Sequence, residues 1–167
     1  QLIELTKGSL TLGNLIVEPF AVSHDAADPI GINVFSGKDK ATVVTDTGII
    51  SDDILHRIDD STLLVLEANY DPHMLRFGPY QPFLKQRVAS DEGHLSNEMA
   101  AQALLMMKRP DFMQVILAHR SENNNNAVLV TQTIGKMLVD GGVRIGPEMK
   151  LQHGQPNEIV SMQSIKR

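Results

Sequence analysis

Short apolar runs separated by polar turns recur along the chain and predict β-strands. They cover residues 10–12, 15–22, 30–35, 41–45, 62–66 and 114–118, and residues 1–5 carry a similar pattern. Gly13 and Asn14 separate the first two runs, and both residue types tolerate the positive φ of a tight turn. We therefore expect a hairpin near the start of the chain. Three shorter runs, at residues 143–145, 149–151 and 159–162, predict terminal strands.

Apolar side chains spaced three and four residues apart predict helices in the second half of the chain. One helix is expected over residues 97–108, before Pro110. The next carries a stripe of Val130, Ile134, Met137 and Leu138 and ends at Gly141 and Gly142. A short helix is expected after Ser51, a residue type that caps helix N-termini. Residues 70–82 contain Pro and Gly and predict a long surface loop.

Strands that alternate with helices indicate an α/β layered domain. With 167 residues, 42% of them apolar and 21% charged, the chain has the composition of a folded domain. It has no Cys, which excludes disulfides and thiolate metal sites and is compatible with a reducing, cytoplasmic location. No apolar run reaches the ~18 residues that a membrane span needs, so no membrane partner is expected.

Charge and aromatic content restrict any role in nucleic-acid binding. The net charge is -5, so bulk positive charge does not attract a polyanion to this chain. Aromatic residues make up only 4%, which disfavours a platform for base stacking. A nucleic-acid substrate would therefore need a local basic patch or bound metal ions.

Three predicted strands are followed by residues that can bind metal ions. They lead to His24, Asp46 and His119. Each residue alone is more often a turn former or a surface residue, but ligand sites of α/β sheets gather at strand ends. Imidazole and carboxylate together suit Zn, Mn or Fe, and one carboxylate can bridge two ions. The three residues together therefore suggest a metal site.

Five segments carry a resemblance to a known family. They are VSHDAADPIG (22–31), TDTG (45–48), LEANYD (66–71), SDEGHLSN (90–97) and LAHRSENN (117–124). In this order they resemble the metallo-β-lactamase fold, and more narrowly they are similar to the YycJ/WalJ group of bacterial metallohydrolases. The resemblance implies an α/β fold, part of an αββα sandwich, with two divalent metal ions, Zn or Mn, between its sheets.

The resemblance also implies roles for individual residues. His24 and His119 would each bind one ion and Asp46 would bridge the two. The Gly93–Ser96 segment is similar to the Gly-His-Ser-Thr stretch of tRNA 3′-processing nucleases, which makes His94 the candidate catalytic residue that acts on the scissile phosphate. Glu67 would be its acidic partner, since an acid fixes the tautomer of an imidazole.

Four further residues are candidates for substrate binding: Asn69, Asp71, Ser96 and Asn124. Asn69 and Asp71 could equally orient Glu67 or cap a loop. Asn124 could instead belong to the cap of the following helix.

The family's His-x-His-x-Asp-His motif has no counterpart here, since no His precedes His24. We therefore expect residues 1–167 to be the C-terminal part of a single metallo-β-lactamase-fold domain. Such a part would bind metal partially or not at all, because each ligand is placed by the fold. Its exposed sheet edges would favour a homo-oligomer.

The resemblance implies that the intact protein is a metal-dependent hydrolase. The sharpest version is a phosphodiesterase that digests double-stranded DNA as a 5′-to-3′ exonuclease. A hydrolase of small esters, thioesters or lactones on the same fold is the alternative, because fold alone does not decide substrate. An inactive fragment, or a protein that acts by binding, is a third possibility.

Overall fold

Seven strands form one sheet whose spatial order follows the chain, in a computed structural model that describes residues 8–155 and 159–160. The strands are β1 (Leu10–Leu12), β2 (Leu15–Ala21), β3 (Ile30–Ser36), β4 (Asp39–Val44), β5 (Leu63–Glu67), β6 (Met113–Ala118) and β7 (Met149–His153). Strands β1 to β4 pair antiparallel, and β4 to β7 pair parallel. The parallel pairs need helical crossovers, and the chain supplies them.

Helices connect the parallel strands. They are α1 (Asp52–Ile58) between β4 and β5, then α2 (Pro72–Phe77), α3 (Pro82–Val88) and α4 (Asn97–Met106) between β5 and β6, and α5 (Ala127–Asp140) between β6 and β7. Ser51 caps α1 as expected, because its side chain accepts a hydrogen bond from the Ile54 amide. No described helix is long and apolar enough to cross a lipid bilayer.

The main core lies between one face of the sheet and helices α1, α4 and α5. Val44, Leu66 and Leu117 are paired in register across β4, β5 and β6, so their side chains share this face. Each of them is almost completely buried. The helices contribute Ile54, Ile58, Ala100, Leu104, Val130, Ile134 and Leu138 to the same cluster. This packing fixes the strand ends from which the site is built.

The opposite face of the sheet carries an apolar row that is only partly covered. Ile32, Val43, Val65 and Ile116 are paired in register across β3 to β6. None of them is fully buried, and Val43 is 39% exposed. Parallel strands are normally buried on both faces. We call this row the open sheet face.

The prediction of a loop over residues 70–82 was wrong, because α2 forms within this range and α3 begins at Pro82. Each of these helices has Pro at its start, where the missing amide hydrogen costs nothing. Asp71 caps α2 by accepting from the Met74 amide. The turn residues that indicated a loop therefore act as helix starters.

Other boundaries differ in smaller ways. Helix α4 ends at Met106, because Met107 leaves the helical conformation. Residues 143–145 form no strand, and Ile145 makes only an isolated bridge to Met149. Ile159 and Val160 lie in no strand, and the rest of that predicted strand, like residues 1–5, lies outside the described residues.

Candidate metal centre

The candidate site lies at the edge of the sheet where β2, β4, β5 and β6 all end. Asp46 follows β4, Glu67 ends β5 and His119 follows β6. His24 follows β2, which runs in the same direction as β4 because both are antiparallel to β3. Carboxyl ends of strands that run in one direction meet at one edge, where ligand sites of α/β sheets gather. Four distant segments are thereby brought together.

Asp46 lies between two imidazoles. Its Oδ1 is 3.7 Å from Nε2 of His24 and 3.6 Å from Nε2 of His119. At Zn–N and Zn–O distances of about 2.0–2.2 Å, two ligands of one tetrahedral ion lie about 3.4 Å apart. The observed spacings are therefore close to those expected for an imidazole nitrogen and a carboxylate oxygen that bind a common ion. The donor set of two imidazoles and a carboxylate is suited to Zn or Mn.

The backbone is strained at two of these residues. Asp46 has φ of 56° and His119 has φ of 52°, in the left-handed region that non-glycine residues rarely adopt. Among the described non-glycine residues, only Asp60 shares this conformation. Such strain persists where surrounding contacts enforce it, and it concentrates at functional sites.

Glu67 is the buried anchor of the site. Its side chain is completely shielded from solvent. Oε1 accepts hydrogen bonds from Nδ1 of His94 at 2.6 Å and from Nδ1 of His119 at 2.9 Å. Oε2 accepts from the Thr47 amide at 3.0 Å, immediately after Asp46. One carboxylate thus ties three segments of the site together.

The charges of this cluster are mutually stabilised. Burial alone would raise the pKa of Glu67, but the hydrogen bonds from His119, His94 and the Thr47 amide outweigh it and lower the pKa. The same hydrogen bond to Glu67 raises the pKa of His119, against the opposing effect of burial. Glu67 is therefore an ionised carboxylate that accepts from both rings.

All three imidazoles of the site are held through Nδ1. His24 donates from Nδ1 to the Gly93 carbonyl at 3.0 Å, while His94 and His119 donate to Glu67. A carbonyl or an ionised carboxylate can only accept, which fixes the proton on Nδ1 and leaves Nε2 for other partners. Hydrogen bonding of this kind is how proteins orient histidine ligands toward metal ions.

His94 lies in the middle of the three rings. Its centroid is 5.1 Å from that of His24 and 5.2 Å from that of His119. Among the described residues, two groups have ligand atoms within 4.8 Å of one another: His24, Asp46 and His94, and Glu67, His94 and His119. His94 is therefore adjacent to the space that an ion on Asp46 would occupy.

His24, Asp46, His94 and His119 line a cavity of about 480 Å³, which we call the metal-site cavity. Asn69, Arg87 and Arg120 are among its other lining residues. Arg87 donates to both carboxylate oxygens of Asp25, and this ion pair lowers the pKa of the Asp25 carboxyl. The cavity lining thus combines carboxylate and imidazole groups with two arginines.

The predicted substrate-binding residues do not all reach this cavity. Asn69 lines it and donates from Nδ2 to the His119 carbonyl at 2.7 Å. Asp71 caps α2, and the buried Ser96 caps α4 by accepting from the Met99 amide. Asn124 is buried, and its backbone amide donates to the Ser121 hydroxyl at 3.1 Å. Asp71, Ser96 and Asn124 are therefore not among the described residues that line the cavity.

Sequence reasoning missed several contributors. The ion pair of Asp25 with Arg87, the Thr47 amide and the Gly93 carbonyl all support the site. Asp25 follows directly after His24, and this adjacency was the available signal. The contacts of backbone donors and acceptors cannot be read from residue types.

Comparison with known proteins agrees with this geometry. The family model described as a Beta-lactamase superfamily domain matches residues 1–119. The chain belongs to this superfamily. The expected family and its α/β fold are therefore confirmed.

Curated relatives within the superfamily carry names of nucleases. The chain is 34% identical over 155 residues to Exodeoxyribonuclease YycJ of Bacillus anthracis, covering 93% of this chain and 59% of that protein. It is 32% identical over 155 residues to Exodeoxyribonuclease WalJ of Streptococcus pneumoniae serotype 2, covering 93% of this chain and 58% of that protein. The chain thus spans about three fifths of the length of these relatives.

Solved structures share the fold at low sequence identity. The metallo-beta-lactamase fold protein YhfI from Bacillus subtilis aligns with a TM-score of 0.61 at 14% identity, over 87% of this chain and 50% of that chain. Zn(2+)-bound PqqB from Methylobacterium extorquens aligns with a TM-score of 0.60 at 17% identity, over 92% of this chain and 50% of that chain. Human tRNase Z, short form, aligns with a TM-score of 0.51 at 20% identity, over 70% of this chain and 40% of that chain. These similarities support the fold alone.

Proposed function

We propose that this chain provides the metal centre of a metal-dependent phosphodiesterase that degrades DNA. The observation that carries the proposal is the carboxylate oxygen of Asp46 between Nε2 of His24 and Nε2 of His119. The relatives' name, exodeoxyribonuclease, supports DNA as the substrate class. Digestion of double-stranded DNA from the 5′ end is the sharpest form of this proposal.

Zn or Mn would be held by His24, Asp46 and His119. Divalent ions bound by such residues activate water and neutralise charge on the phosphate oxygens. Asp46, whose Oδ1 lies near both imidazoles, would be the ligand shared between two ions. Their positive charge would also reverse the local effect of the protein's net charge of -5.

His94 would transfer the proton in this reaction. Its Nδ1 is engaged by Glu67, so Nε2 is the atom left to face the substrate. As an imidazolium, His94 would donate its Nε2 proton to the leaving oxygen while the bond from phosphorus to that oxygen breaks. Glu67 would keep the ring oriented through this step without touching the substrate. A ring nitrogen of His94 lies within 4.8 Å of ligand atoms of His24 and Asp46, and this proximity supports the role.

The open sheet face supports a proposal about domain organisation. A row of partly exposed apolar side chains on parallel strands is stabilised when another layer covers it. The curated relatives are longer than this chain, which covers 59% of one and 58% of the other. We propose that residues 1–167 form the C-terminal part of a single αββα domain, whose remaining part packs on the open sheet face.

A cleavage assay tests the proposed function. The protein is expressed from its complete reading frame and supplied with Mn or Zn, and single-turnover cleavage of blunt duplex DNA is measured. We expect cleavage that Asp46→Ala abolishes and that the matched variant Asp52→Ala, at the exposed start of α1, retains. Labels at the 5′ and 3′ ends distinguish the direction of digestion.

A panel of small esters, thioesters and lactones completes this test. We expect the phosphodiester substrate to be cleaved in preference to every member of the panel. Cleavage of DNA no faster than by Asp46→Ala, together with Asp46-dependent hydrolysis of a panel member, would reject the nuclease and favour the other hydrolase.

A further inference from the structure

Arg120 lies at the junction of two cavities. It lines the metal-site cavity and also a neighbouring cavity of about 610 Å³, and the two share His119, Arg120 and Glu122. Asn125 and Gly154 also line this neighbouring cavity. A linear substrate whose reacting group lies beside His119 would therefore pass Arg120 on its way from one cavity to the other.

Asn69 forms hydrogen bonds with the backbone of both residues that flank Arg120. The Asn69 side chain donates to the carbonyl of His119 at 2.7 Å, and the Asn69 carbonyl accepts from the amide of Ser121 at 2.9 Å. Nδ2 of the buried Asn125 in turn donates to the Asn69 carbonyl at 3.1 Å. The backbone that carries Arg120 is thus held in place beside the site, as a positioning residue requires.

The guanidinium of Arg120 has no counter-charge among the described residues. Its Nη1 is buried and makes no hydrogen bond, and no described carboxylate lies within 4.0 Å to form an ion pair. The other described arginines are engaged: Arg57, Arg87 and Arg144 with carboxylates, Arg109 with backbone carbonyls, and Arg76 with the Phe77 ring. Of the two described arginines whose guanidinium has no carboxylate or carbonyl partner, Arg76 and Arg120, only Arg120 lines the metal-site cavity.

Leaving a partly buried cation unpaired costs folding free energy. Glu122 borders the same cavities but is exposed and unpaired with Arg120. A guanidinium binds phosphate or carboxylate through a planar fork of donors, and phosphate is the one of the two that a DNA strand carries. The site thus has the features of a subsite for a charged substrate group.

We propose that Arg120 binds a backbone phosphate of the DNA strand adjacent to the scissile phosphate, and so directs the strand from the metal-site cavity into the neighbouring cavity. This inference rests on the proposed function as a DNA phosphodiesterase. Arg120 positions the strand and takes no part in proton transfer. Phosphate contacts fix the register of a nucleic acid without reading its sequence, so the effect is independent of base composition.

Binding and stability measurements on Arg120→Gln test this proposal, with the protein expressed from its complete reading frame. The probe is a duplex whose terminal linkages are phosphorothioates, so that it resists cleavage. Arg57→Gln is the matched control, because it removes the same charge from an exposed position on α1. Arg120→Lys tests the need for the planar fork.

We expect Arg120→Gln to weaken binding roughly 10-fold, as the loss of one charged hydrogen-bonding group does. The slope of log affinity against log salt concentration should become shallower by about one. Arg120→Lys should restore part of the affinity, and Arg57→Gln should bind like the unmodified protein. In cleavage assays Arg120→Gln should raise KM and leave kcat nearly unchanged. Its Tm should be equal to or higher than that of the unmodified protein, which a structural role would not allow.

Two results would overturn the proposal, and they differ from each other. If the unmodified protein cleaves DNA and Arg120→Gln matches Arg57→Gln in affinity and salt slope, the strand does not contact Arg120, while the proposed function stands. If the unmodified protein neither binds nor cleaves DNA, the proposed function and this inference both fail.

Discussion

Glu67 accepts a hydrogen bond from His94 at 2.6 Å although its carboxylate is completely buried. The same oxygen also accepts from His119, so the candidate proton donor and a candidate metal ligand share one anchor. Any change at Glu67 should therefore affect both metal binding and proton transfer.

Replacing Glu67 with Gln keeps the size of the side chain and removes its charge. An amide oxygen cannot match an ionised carboxylate toward two imidazoles, and the amide NH₂ group would face a donor. We expect the free energy of unfolding to fall by about 2 kcal/mol and metal affinity to fall roughly 10- to 100-fold. Urea denaturation and metal titration measure the two effects.

Glu148→Gln is the matched control for Glu67→Gln. Glu148 is paired with Arg144 within an exposed turn, where ion pairs contribute little. We expect its unfolding free energy to change by less than about 0.5 kcal/mol. Equal stability and equal metal affinity for both variants would show that Glu67 does not anchor the site.

His94 and the candidate metal ligands should respond differently to substitution. We expect His94→Gln to keep its bound metal and to lose activity by roughly 10²- to 10⁴-fold, the usual contribution of a general acid. Metal content by mass spectrometry and single-turnover cleavage, measured on the same preparation, check this. Loss of metal in His94→Gln would place His94 among the ligands instead.

Gly93 is required where the chain before His94 contacts α3. A Cβ at Gly93 would lie 2.2 Å from the carbonyl oxygen of Arg87 and 2.4 Å from that of Val88, and both are backbone atoms. Gly93→Ala must therefore displace the carbonyl that orients His24. We expect a loss of about 1–3 kcal/mol in unfolding free energy, together with weaker metal binding.

The control for this variant is Gly135→Ala. Gly135 lies inside α5, and a Cβ added there would have its nearest neighbour, the Cδ1 atom of Ile145, 3.9 Å away. Alanine favours helix over glycine, so we expect a gain of about 0.5–1 kcal/mol. Destabilisation by both variants to the same extent would contradict the claim that position 93 specifically requires glycine.

The sequence was most informative where strands end. His24, Asp46 and His119 each follow an apolar run, and the position of a run can be read from residue types alone. The double contact of Glu67 could not be read in this way. It depends on the register that pairs Glu67 with Ala118 and thereby brings the start of the next loop beside the carboxylate.

Prolines and sheet faces limited the prediction elsewhere. Pro72 and Pro82 contribute to the loop predicted over residues 70–82, but the same residue type at the first helical position starts a helix. Val43 and Val65 have the residue types of a buried strand, yet they lie on the open sheet face. Strand patterns specify which side chains share a face, and they do not specify what covers it.

His153 should make stability depend on pH. Burial and then the charge of Arg120 lower the pKa of His153, whose Nε2 lies 2.8 Å from the Thr131 hydroxyl. The fold therefore favours the neutral ring, and the unfolded chain takes up a proton more readily. This contribution to stability is present above the ordinary pKa of 6.5 and is lost as the pH falls through the lowered value.

We expect His153→Gln to show a smaller loss of unfolding free energy than the unmodified protein as the pH falls from about 7.5 to about 5.5. His56→Gln, at an exposed position on α1, serves as the control and should retain the original pH dependence. The same slope in the His153 variant and the unmodified protein would contradict the effect. Titration of His153 by NMR in Arg120→Gln should show its pKa moved back toward 6.5.

The most direct measurement is the metal content of the protein expressed from its complete reading frame, determined by mass spectrometry after equilibration with Mn or Zn. We expect His24→Ala, Asp46→Ala and His119→Ala each to lose bound metal. His56→Ala and His73→Ala alter exposed histidines on α1 and α2, away from the strand ends, and should retain the metal. Equal metal content in all five variants and the unmodified protein would contradict a metal centre at these strand ends.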